Sequence, residues 1–183
     1  MKIINMNELN ESQLRQAAQI LTDELPIGWP SLSDALEEID EITALCKEEP
    51  EALFLAAVED DEVIGWCGIL PSYDGHVYEL HPLAVRRDRQ GKGIGAKLVG
   101  AVEAAAREKG GLTLWLGADD EKPSGETSLA NTDLYDDLSK LMQDFKPGTH
   151  QSAFYLKLGF KIIGVMPDAN GIGKPDIFFA KKL

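Results

Sequence analysis

The segment Gln90-Gly91-Lys92-Gly93-Ile94-Gly95 constrains the fold of this chain more than any other feature of its sequence. It follows the β-rich run 77–85 and overlaps the start of 94–109, where apolar residues recur at helical spacing. A strand that enters a helix through glycine-rich backbone directs several main-chain N–H groups, and the positive end of the helix dipole, at one point above the turn. A pyrophosphate group is the natural ligand of such a turn.

Two common phosphate-binding motifs do not fit this segment. The dinucleotide fingerprint requires G-x-G-x-x-G, whereas Gly91, Gly93 and Gly95 alternate singly. The nucleoside-triphosphate loop requires Gly-Lys followed by Ser or Thr, and Gly95 is followed instead by Ala96-Lys97-Leu98. A glycine-rich turn without a ligand is the remaining alternative.

The pattern Gln-x-x-Gly-x-Gly, preceded by Arg86-Arg87-Asp88-Arg89 and by a predicted strand with Leu83-Ala84-Val85, resembles the acetyl-CoA signature of the GNAT superfamily of N-acetyltransferases. The resemblance implies a GNAT fold, in which helices flank a mixed, mostly antiparallel sheet and acetyl-CoA lies in a cleft between splayed strands. It also implies a set of main-chain groups that bind acetyl-CoA. The pyrophosphate amides are those of Gln90, Gly91, Lys92, Gly93, Ile94 and Gly95, and the pantetheine arm pairs with the backbone of Leu83, Ala84 and Val85.

Hydrophobic periodicity independently predicts an α+β domain with a mixed sheet. The first predicted helix covers residues 11–25, and the second is capped by Ser31 or Ser33 and ends at Glu49-Pro50. Three more predicted helices cover residues 94–109, 132–145 and 149–158. The predicted strands cover residues 2–5, 52–59, 62–70, 77–85, 112–116, 160–165 and 177–181.

The strand that precedes the loop carries candidate catalytic residues. Period-2 alternation predicts that Glu79, His81 and Leu83 share one face. Pro82, which lacks an N–H, predicts an irregular pairing, as at a bulge or a splayed edge. Glu79 suits a general base that deprotonates an amine, and the N–H of Leu83 suits stabilisation of the thioester oxygen. His81 is a base, an orienting residue or a hydrogen-bonded structural histidine.

Further stretches resemble the aminoglycoside 6'-N-acetyltransferases of the intrinsic, dimeric enterococcal type. They are Trp29-Pro30 and residues 71–73, 79–83, 116–120, 132–135, 154–160 and 169–177. The resemblance implies a homodimer with Glu79 and His81 in the active site and Tyr155 as the acid that protonates the CoA thiolate. It places Trp29, Tyr73 and Asp119 in the aminoglycoside pocket. Trp29 and Tyr73 could equally be buried loop anchors, Tyr155 could be a core aromatic before the Gly159-Phe160 turn, and Asp119 and Asp120 could form a solvated turn.

Composition sets limits on partners and location. Sufficient apolar content, 44% of 183 residues, favours one domain over residues 1–183. The formal charge of −13 argues against nucleic-acid binding, and taken alone it favours mere solubility. Beside the acetyltransferase resemblance it suits a cationic substrate, with acids available at Glu79, Asp119, Asp120, Asp133, Asp136 and Asp137. We see no signal sequence or membrane span, and we expect a cytoplasmic protein. Cys46 and Cys67 are too far apart in sequence for a redox or zinc pair, so we expect no metal site.

The sequence therefore predicts direct acetyl transfer from acetyl-CoA to the 6'-amine of an aminoglycoside, which would confer resistance. Two alternatives stay open at this point. One is a GNAT enzyme for another amine, such as a polyamine or a basic protein, and the other is a non-catalytic acetyl-CoA-binding module. The loop 121–131 and the segment 146–151 resemble the family least, so the range of substrates is the least determined property.

Overall fold

The computed structural model describes residues 1–183, which form two compact units. The first unit comprises residues 1–114 together with Leu183, and the second comprises residues 115–182. A single domain over the whole chain stays a prediction. None of the helices combines the length and the apolar character that a bilayer crossing requires.

The first unit contains a four-stranded antiparallel sheet and three helices. The strands lie in the order β1-β2-β3-β4, so each pairs with its neighbour in sequence. The elements are β1 (Lys2–Asn5), α1 (Glu11–Glu24), α2 (Leu32–Glu48), β2 (Leu53–Glu59), β3 (Glu62–Ser72), β4 (Val77–Val85) and α3 (Ile94–Glu108). Short 3-10 turns follow β1 and β4 at residues 6–8 and 87–89.

Capping boxes define where the first two helices begin. The side chain of Asn10 accepts the N–H of Gln13 (3.0 Å), and the hydroxyl of Ser31 accepts the N–H of Asp34 (3.3 Å). Ser31, of the two predicted candidates, is therefore the cap of α2. The apolar sides of both helices pack in one buried cluster that includes Trp66, whose indole N–H donates to the carbonyl of Ala17 (3.0 Å).

The second unit contains the remaining strands and two short helices. Its elements are β5 (Thr113–Asp119), whose first two residues belong to the first unit, α4 (Leu138–Gln143), α5 (Ser152–Lys157), β6 (Lys161–Met166) and β7 (Asp176–Lys182). The strand order is β5-β7-β6, and β6 pairs with β7 antiparallel. Leu116, Phe160 and Phe179 are among its fully buried side chains.

The helix predicted over residues 132–145 is wrong for its first part, because α4 begins only at Leu138. Two aspartates account for the difference. The carboxylate of Asp133 accepts the N–H of Tyr135 (3.0 Å), and that of Asp137 accepts the N–H of Lys140 (3.1 Å) and caps the helix. Local side-chain acceptors of this kind compete with helical hydrogen bonds. The other predicted elements are present, with ends that shift by about three residues or fewer.

Candidate active site

The glycine-rich loop between β4 and α3 presents main-chain donors to open space. Gly91 and Gly93 have φ of 72° and 79°, in the left-handed region, and a Cβ on either glycine would meet no protein atom within 4 Å. Gly93 is the N-cap of α3, and no side chain caps that end. The first N–H groups of α3 therefore have no partner within the helix, as an anion site requires.

Gln90 differs from the rest of the loop because its main-chain N–H is already engaged. That N–H donates to the carbonyl of Arg87 (3.3 Å). The side-chain amide of Gln90 donates to the carbonyl of Val85 (2.9 Å) and to the carboxylate of Glu24 (3.0 Å). Gln90 thus connects β4 to α1, and the available donors of the loop begin at Gly91. The sequence predicted the whole segment as donors and did not identify Glu24.

The predicted irregularity of β4 is confirmed as a bulge at His81-Pro82. These two residues stand opposite the single residue Gly68 of β3, and the peptide bond between them is cis. Glycine at position 68 is required by packing, because a Cβ there would lie 2.1 Å from the ring of Phe54. The bulge therefore lies where β3 itself has no side chain.

The bulge also changes which face of β4 each side chain occupies. Leu80 pairs with Ile69, and Leu83 pairs with Cys67. Ile69 and Cys67 lie two residues apart and share a face, so Leu80 and Leu83 share that face as well. Glu79 lies on the opposite face. The prediction that Glu79 and Leu83 share a face is wrong, because simple alternation does not continue through an inserted residue.

His81 lines a groove of about 460 Å³ in the first unit, together with one side of α2. The groove has an apolar floor that includes Leu70 and Phe54. Its acidic wall consists of Glu38, Glu41 and Glu48. Residues at these intervals project from one side of a helix. The sequence showed α2 to be amphipathic and rich in glutamate, but it did not single out this acidic wall.

Trp29 lies beside the same groove. Its ring centroid is 6.1 Å from that of His81, with the rings inclined at 49°, and its indole N–H donates to Glu38 (3.3 Å). The structure therefore brings together the predicted site residues Trp29 and His81. Tyr73, in contrast, is 79% exposed in the turn between β3 and β4, which excludes the alternative of a buried loop anchor.

In the second unit, Asp119 and Asp120 have different surroundings. Asp119 is exposed at the end of β5; its carboxylate accepts the side-chain amide of Asn170, and its carbonyl accepts from the imidazole of His150 (2.9 Å). Asp120 is fully buried and accepts the N–H groups of Glu126 (2.9 Å) and Thr127 (2.8 Å). Asp120 therefore orders the loop that follows it. Both predictions for this residue, a solvated turn and an acid that binds a cationic substrate, are wrong, because its carboxylate is buried and bonded to main-chain N–H groups.

Tyr155 is a buried residue of α5, with 6% of its surface exposed. Its ring makes edge-to-face contacts with Phe154 (5.2 Å between centroids) and Phe160 (5.8 Å). Gly159, with φ of 90°, follows the helix and turns the chain toward Phe160. The aromatic neighbours restrict the orientation of the Tyr155 ring.

The sequence profile of the acetyltransferase (GNAT) family matches residues 14–125, which include the glycine-rich loop and the bulged strand. This chain belongs to the GNAT acetyltransferase family. The family match confirms the predicted α+β fold class, and it identifies acetyl-CoA as the acetyl donor. No curated protein sequence matches the chain.

Solved structures similar to the chain confirm the predicted relationship at finer detail. An aminoglycoside 6'-N-acetyltransferase complexed with coenzyme A is 36% identical, with a TM-score of 0.87 and coverage of 100% of this chain and 97% of that chain. The aminoglycoside 6'-N-acetyltransferase from Enterococcus faecium has the same identity and coverage and a TM-score of 0.88. A 6'-acetyltransferase of type Ii is 32% identical, with the same coverage and a TM-score of 0.74.

Proposed function

We propose that this protein transfers an acetyl group from acetyl-CoA to the 6'-amine of aminoglycosides. The acidic groove beside His81 carries the proposal. Aminoglycosides bear several ammonium groups, and the carboxylates of Glu38, Glu41 and Glu48 would concentrate and orient such a polycation. Similarity to the 6'-N-acetyltransferases over the full length of the chain supports the same substrate class.

Acetyl transfer to nitrogen requires the neutral amine, because the ammonium form has no lone pair to attack the thioester carbonyl. We assign the role of general base to Glu79, which removes the proton directly or through water. The N–H of Leu83 would donate to the carbonyl oxygen as negative charge develops on it. The face of the Leu83 side chain does not affect this role, since only its main chain takes part.

Tyr155 suits protonation of the departing CoA thiolate. A phenol hydroxyl can donate a proton to a departing thiolate when the two groups lie within hydrogen-bond distance. The contacts with Phe154 and Phe160 would hold the phenol in one orientation.

Direct attack of the amine on acetyl-CoA in a ternary complex agrees with the burial of the two cysteine thiols. Cys67 is fully buried, and burial raises the pKa of its thiol well above the usual value. Partial burial also raises the pKa of Cys46. Neither thiol is therefore prepared to act as a thiolate nucleophile, and an acetyl-enzyme intermediate is not needed.

The loop and the bulged strand fit acetyl-CoA. The amides from Gly91 to Gly95 would bind the pyrophosphate over the open space that the glycines leave. The backbone of Leu83, Ala84 and Val85 would pair with the pantetheine amides in the cleft between splayed strands, as an added strand does.

Further parts of the proposal rest on the resemblance of the sequence to the aminoglycoside 6'-N-acetyltransferases. Trp29, Tyr73 and Asp119 contribute to the aminoglycoside pocket, and the protein acts as a homodimer in the cytoplasm. Residues 1–183 form a single GNAT domain. In a cell exposed to aminoglycosides, the reaction would confer resistance, because an acetylated 6'-nitrogen carries no positive charge.

A thiol-release assay tests the proposal. We expect release of CoA with an aminoglycoside that has a 6'-amine and little release with a matched compound that has a 6'-hydroxyl. Equal turnover of both would contradict the 6' assignment. Turnover of a polyamine or a basic peptide, and of neither aminoglycoside, would identify a GNAT enzyme for another amine. Binding of acetyl-CoA without turnover of any amine would indicate a non-catalytic module.

A further inference from the structure

The carboxylate of Glu24, in the last turn of α1, contacts the backbone that leads into the glycine-rich loop. Oε1 accepts the main-chain N–H of Arg87 (2.9 Å), and Oε2 accepts the side-chain amide of Gln90 (3.0 Å). The Nε of Arg87 lies 3.5 Å from the same Oε2. These partners are 63 and 66 residues away in sequence, so one side chain ties α1 to the start of the loop.

The position of Glu24 is unfavourable for the helix that carries it. The C-terminal end of a helix has partial negative charge, so a carboxylate there is destabilising. No basic residue lies in the last turn of α1 to compensate, and only 10% of the Glu24 side chain is exposed. The donors from Arg87 and Gln90 are therefore the groups that stabilise this carboxylate, and their hydrogen bonds are charge-assisted.

Gln90 extends the connection into the sheet. Its amide donates both to Glu24 and to the carbonyl of Val85 at the end of β4 (2.9 Å). Helix, strand and loop are thus joined at a residue directly before Gly91, where the available amides begin. A displacement of Gln90 would be transmitted to the loop amides, because glycine offers little resistance to backbone rotation.

We propose that Glu24 is a positioning residue that holds the Gln90–Gly95 loop in its acetyl-CoA-binding conformation before the cosubstrate arrives. The proposal rests on the assignment of this loop to acetyl-CoA under Proposed function. A loop that is ordered in advance loses less conformational entropy on binding. Glu24 never touches the cosubstrate in this role and acts only through Arg87 and Gln90.

An electrostatic role of Glu24 and a positioning role predict opposite changes in coenzyme A affinity when the residue is replaced. Loss of one negative charge near an anionic ligand should strengthen binding of coenzyme A, whereas loss of the two hydrogen bonds should weaken it. Asp23→Asn is the matched control, because Asp23 is exposed, precedes Glu24 on the same helix and bonds only to Gln19 (2.8 Å). It removes the same charge and leaves the loop contacts intact.

The experiment measures the Kd of coenzyme A by calorimetry for the wild type and for Glu24→Ala, Glu24→Gln and Asp23→Asn. We expect Glu24→Ala to raise the Kd about tenfold, because the loop must then be ordered when coenzyme A binds and only part of the lost hydrogen-bond energy is transmitted to the ligand. Glu24→Gln keeps an acceptor for Arg87 and should raise the Kd about threefold. Asp23→Asn should leave the Kd unchanged or lower it slightly. In steady state, KM for acetyl-CoA should follow these changes, while KM for the amine and kcat stay within about twofold.

Two results would overturn the positioning role. One is a folded Glu24→Ala protein that binds coenzyme A as tightly as the wild type or more tightly. The other is a parallel rise of the coenzyme A Kd and the amine KM together with a lower Tm, which would show a general structural effect. Calorimetry with coenzyme A needs no amine, so an incorrect substrate assignment would leave this test intact. A wild type that fails to bind coenzyme A would overturn both the loop assignment and the role of Glu24.

Discussion

The ring of Trp29 lies 6.1 Å from the ring of His81 and donates a hydrogen bond to Glu38. One aromatic residue from the segment between α1 and α2 thus contacts both the bulged strand and the acidic wall of α2. Trp29 contacts His81 by its ring and Glu38 by its indole N–H, and it therefore links the bulged strand to the carboxylates that would bind substrate.

Neutralising the acidic wall should weaken substrate binding selectively. We expect Glu38→Gln/Glu41→Gln to raise KM for an aminoglycoside about tenfold, since each partly exposed ion pair contributes about 0.2–1 kcal/mol and a polycation makes several. KM for acetyl-CoA should not change. The control Glu37→Gln/Asp40→Asn removes two exposed charges from the same helix, away from the groove. Equal effects of the two double variants would show that only the net charge matters. The difference should shrink at high salt.

Removal of the proposed base should lower the rate in a pH-dependent way. We expect Glu79→Gln to reduce kcat/KM by about 10²- to 10⁴-fold near neutral pH, the usual contribution of a general base. The loss should become smaller as pH rises, because the free amine then forms without help. A pH–rate profile measures this trend, and calorimetry with coenzyme A checks that the cosubstrate site is intact. A uniform loss at all pH values would argue for a structural role of Glu79.

The proposed acid can be tested with a change that keeps the aromatic packing. Tyr155→Phe preserves the edge-to-face contacts with Phe154 and Phe160 and removes only the hydroxyl. We expect kcat to fall by about 10²-fold, the lower end of the usual contribution of a general acid, while the Kd of coenzyme A changes little. A wild-type kcat would mean that water protonates the thiolate.

The glycine at the start of α3 should be required for both backbone conformation and ligand space. Gly93→Ala places a Cβ on a residue with φ of 79°, which costs about 1–2 kcal/mol, and directs it into the open space above the loop. We expect a lower Tm and a KM for acetyl-CoA that rises at least about tenfold. Gly100→Ala is the control, because this exposed glycine lies within α3 with free space around it and should stabilise the helix slightly. Similar effects at both positions would contradict the ligand role.

Protonation of Glu126 at low pH should destabilise the loop that follows β5. A hydrogen bond from Lys122 (2.9 Å), assisted by Thr149 (3.0 Å), lowers the pKa of Glu126 below its usual value. A depressed folded-state pKa stabilises the fold above the unfolded pKa, and this contribution is lost as pH falls through the folded value. Glu126→Gln should therefore lower the unfolding free energy by up to about 1 kcal/mol at pH 7 and by nothing near pH 2. Chemical unfolding at both pH values measures it. A pH-independent difference would assign the effect to packing.

Several parts of the site could be predicted from residues that are neighbours in the sequence. The strand-loop-helix context of Gly91 and Gly93 predicted an anion site, since left-handed glycines and an uncapped helix end depend on neighbouring residues alone. The missing N–H of Pro82 likewise predicted a bulge. Asp133 shows the limit, because its side chain accepts the N–H of Tyr135 where hydrophobic spacing had predicted the first turn of a helix.

The sequence by itself determined the family, the cosubstrate and the position of the loop, because the residues responsible are close together in the chain and act through their own backbone. Only the tertiary structure showed the contacts of Glu24, Glu38 and Asp120, on which the proposed roles of Glu24 and Glu38 depend. Each of these carboxylates resembles any other surface acid in the sequence. Glu24 contacts a segment 63 residues away, Glu38 accepts the indole N–H of Trp29, and the buried carboxylate of Asp120 accepts main-chain N–H groups of the loop that follows it. Such contacts depend on chain packing, which short-range patterns do not encode.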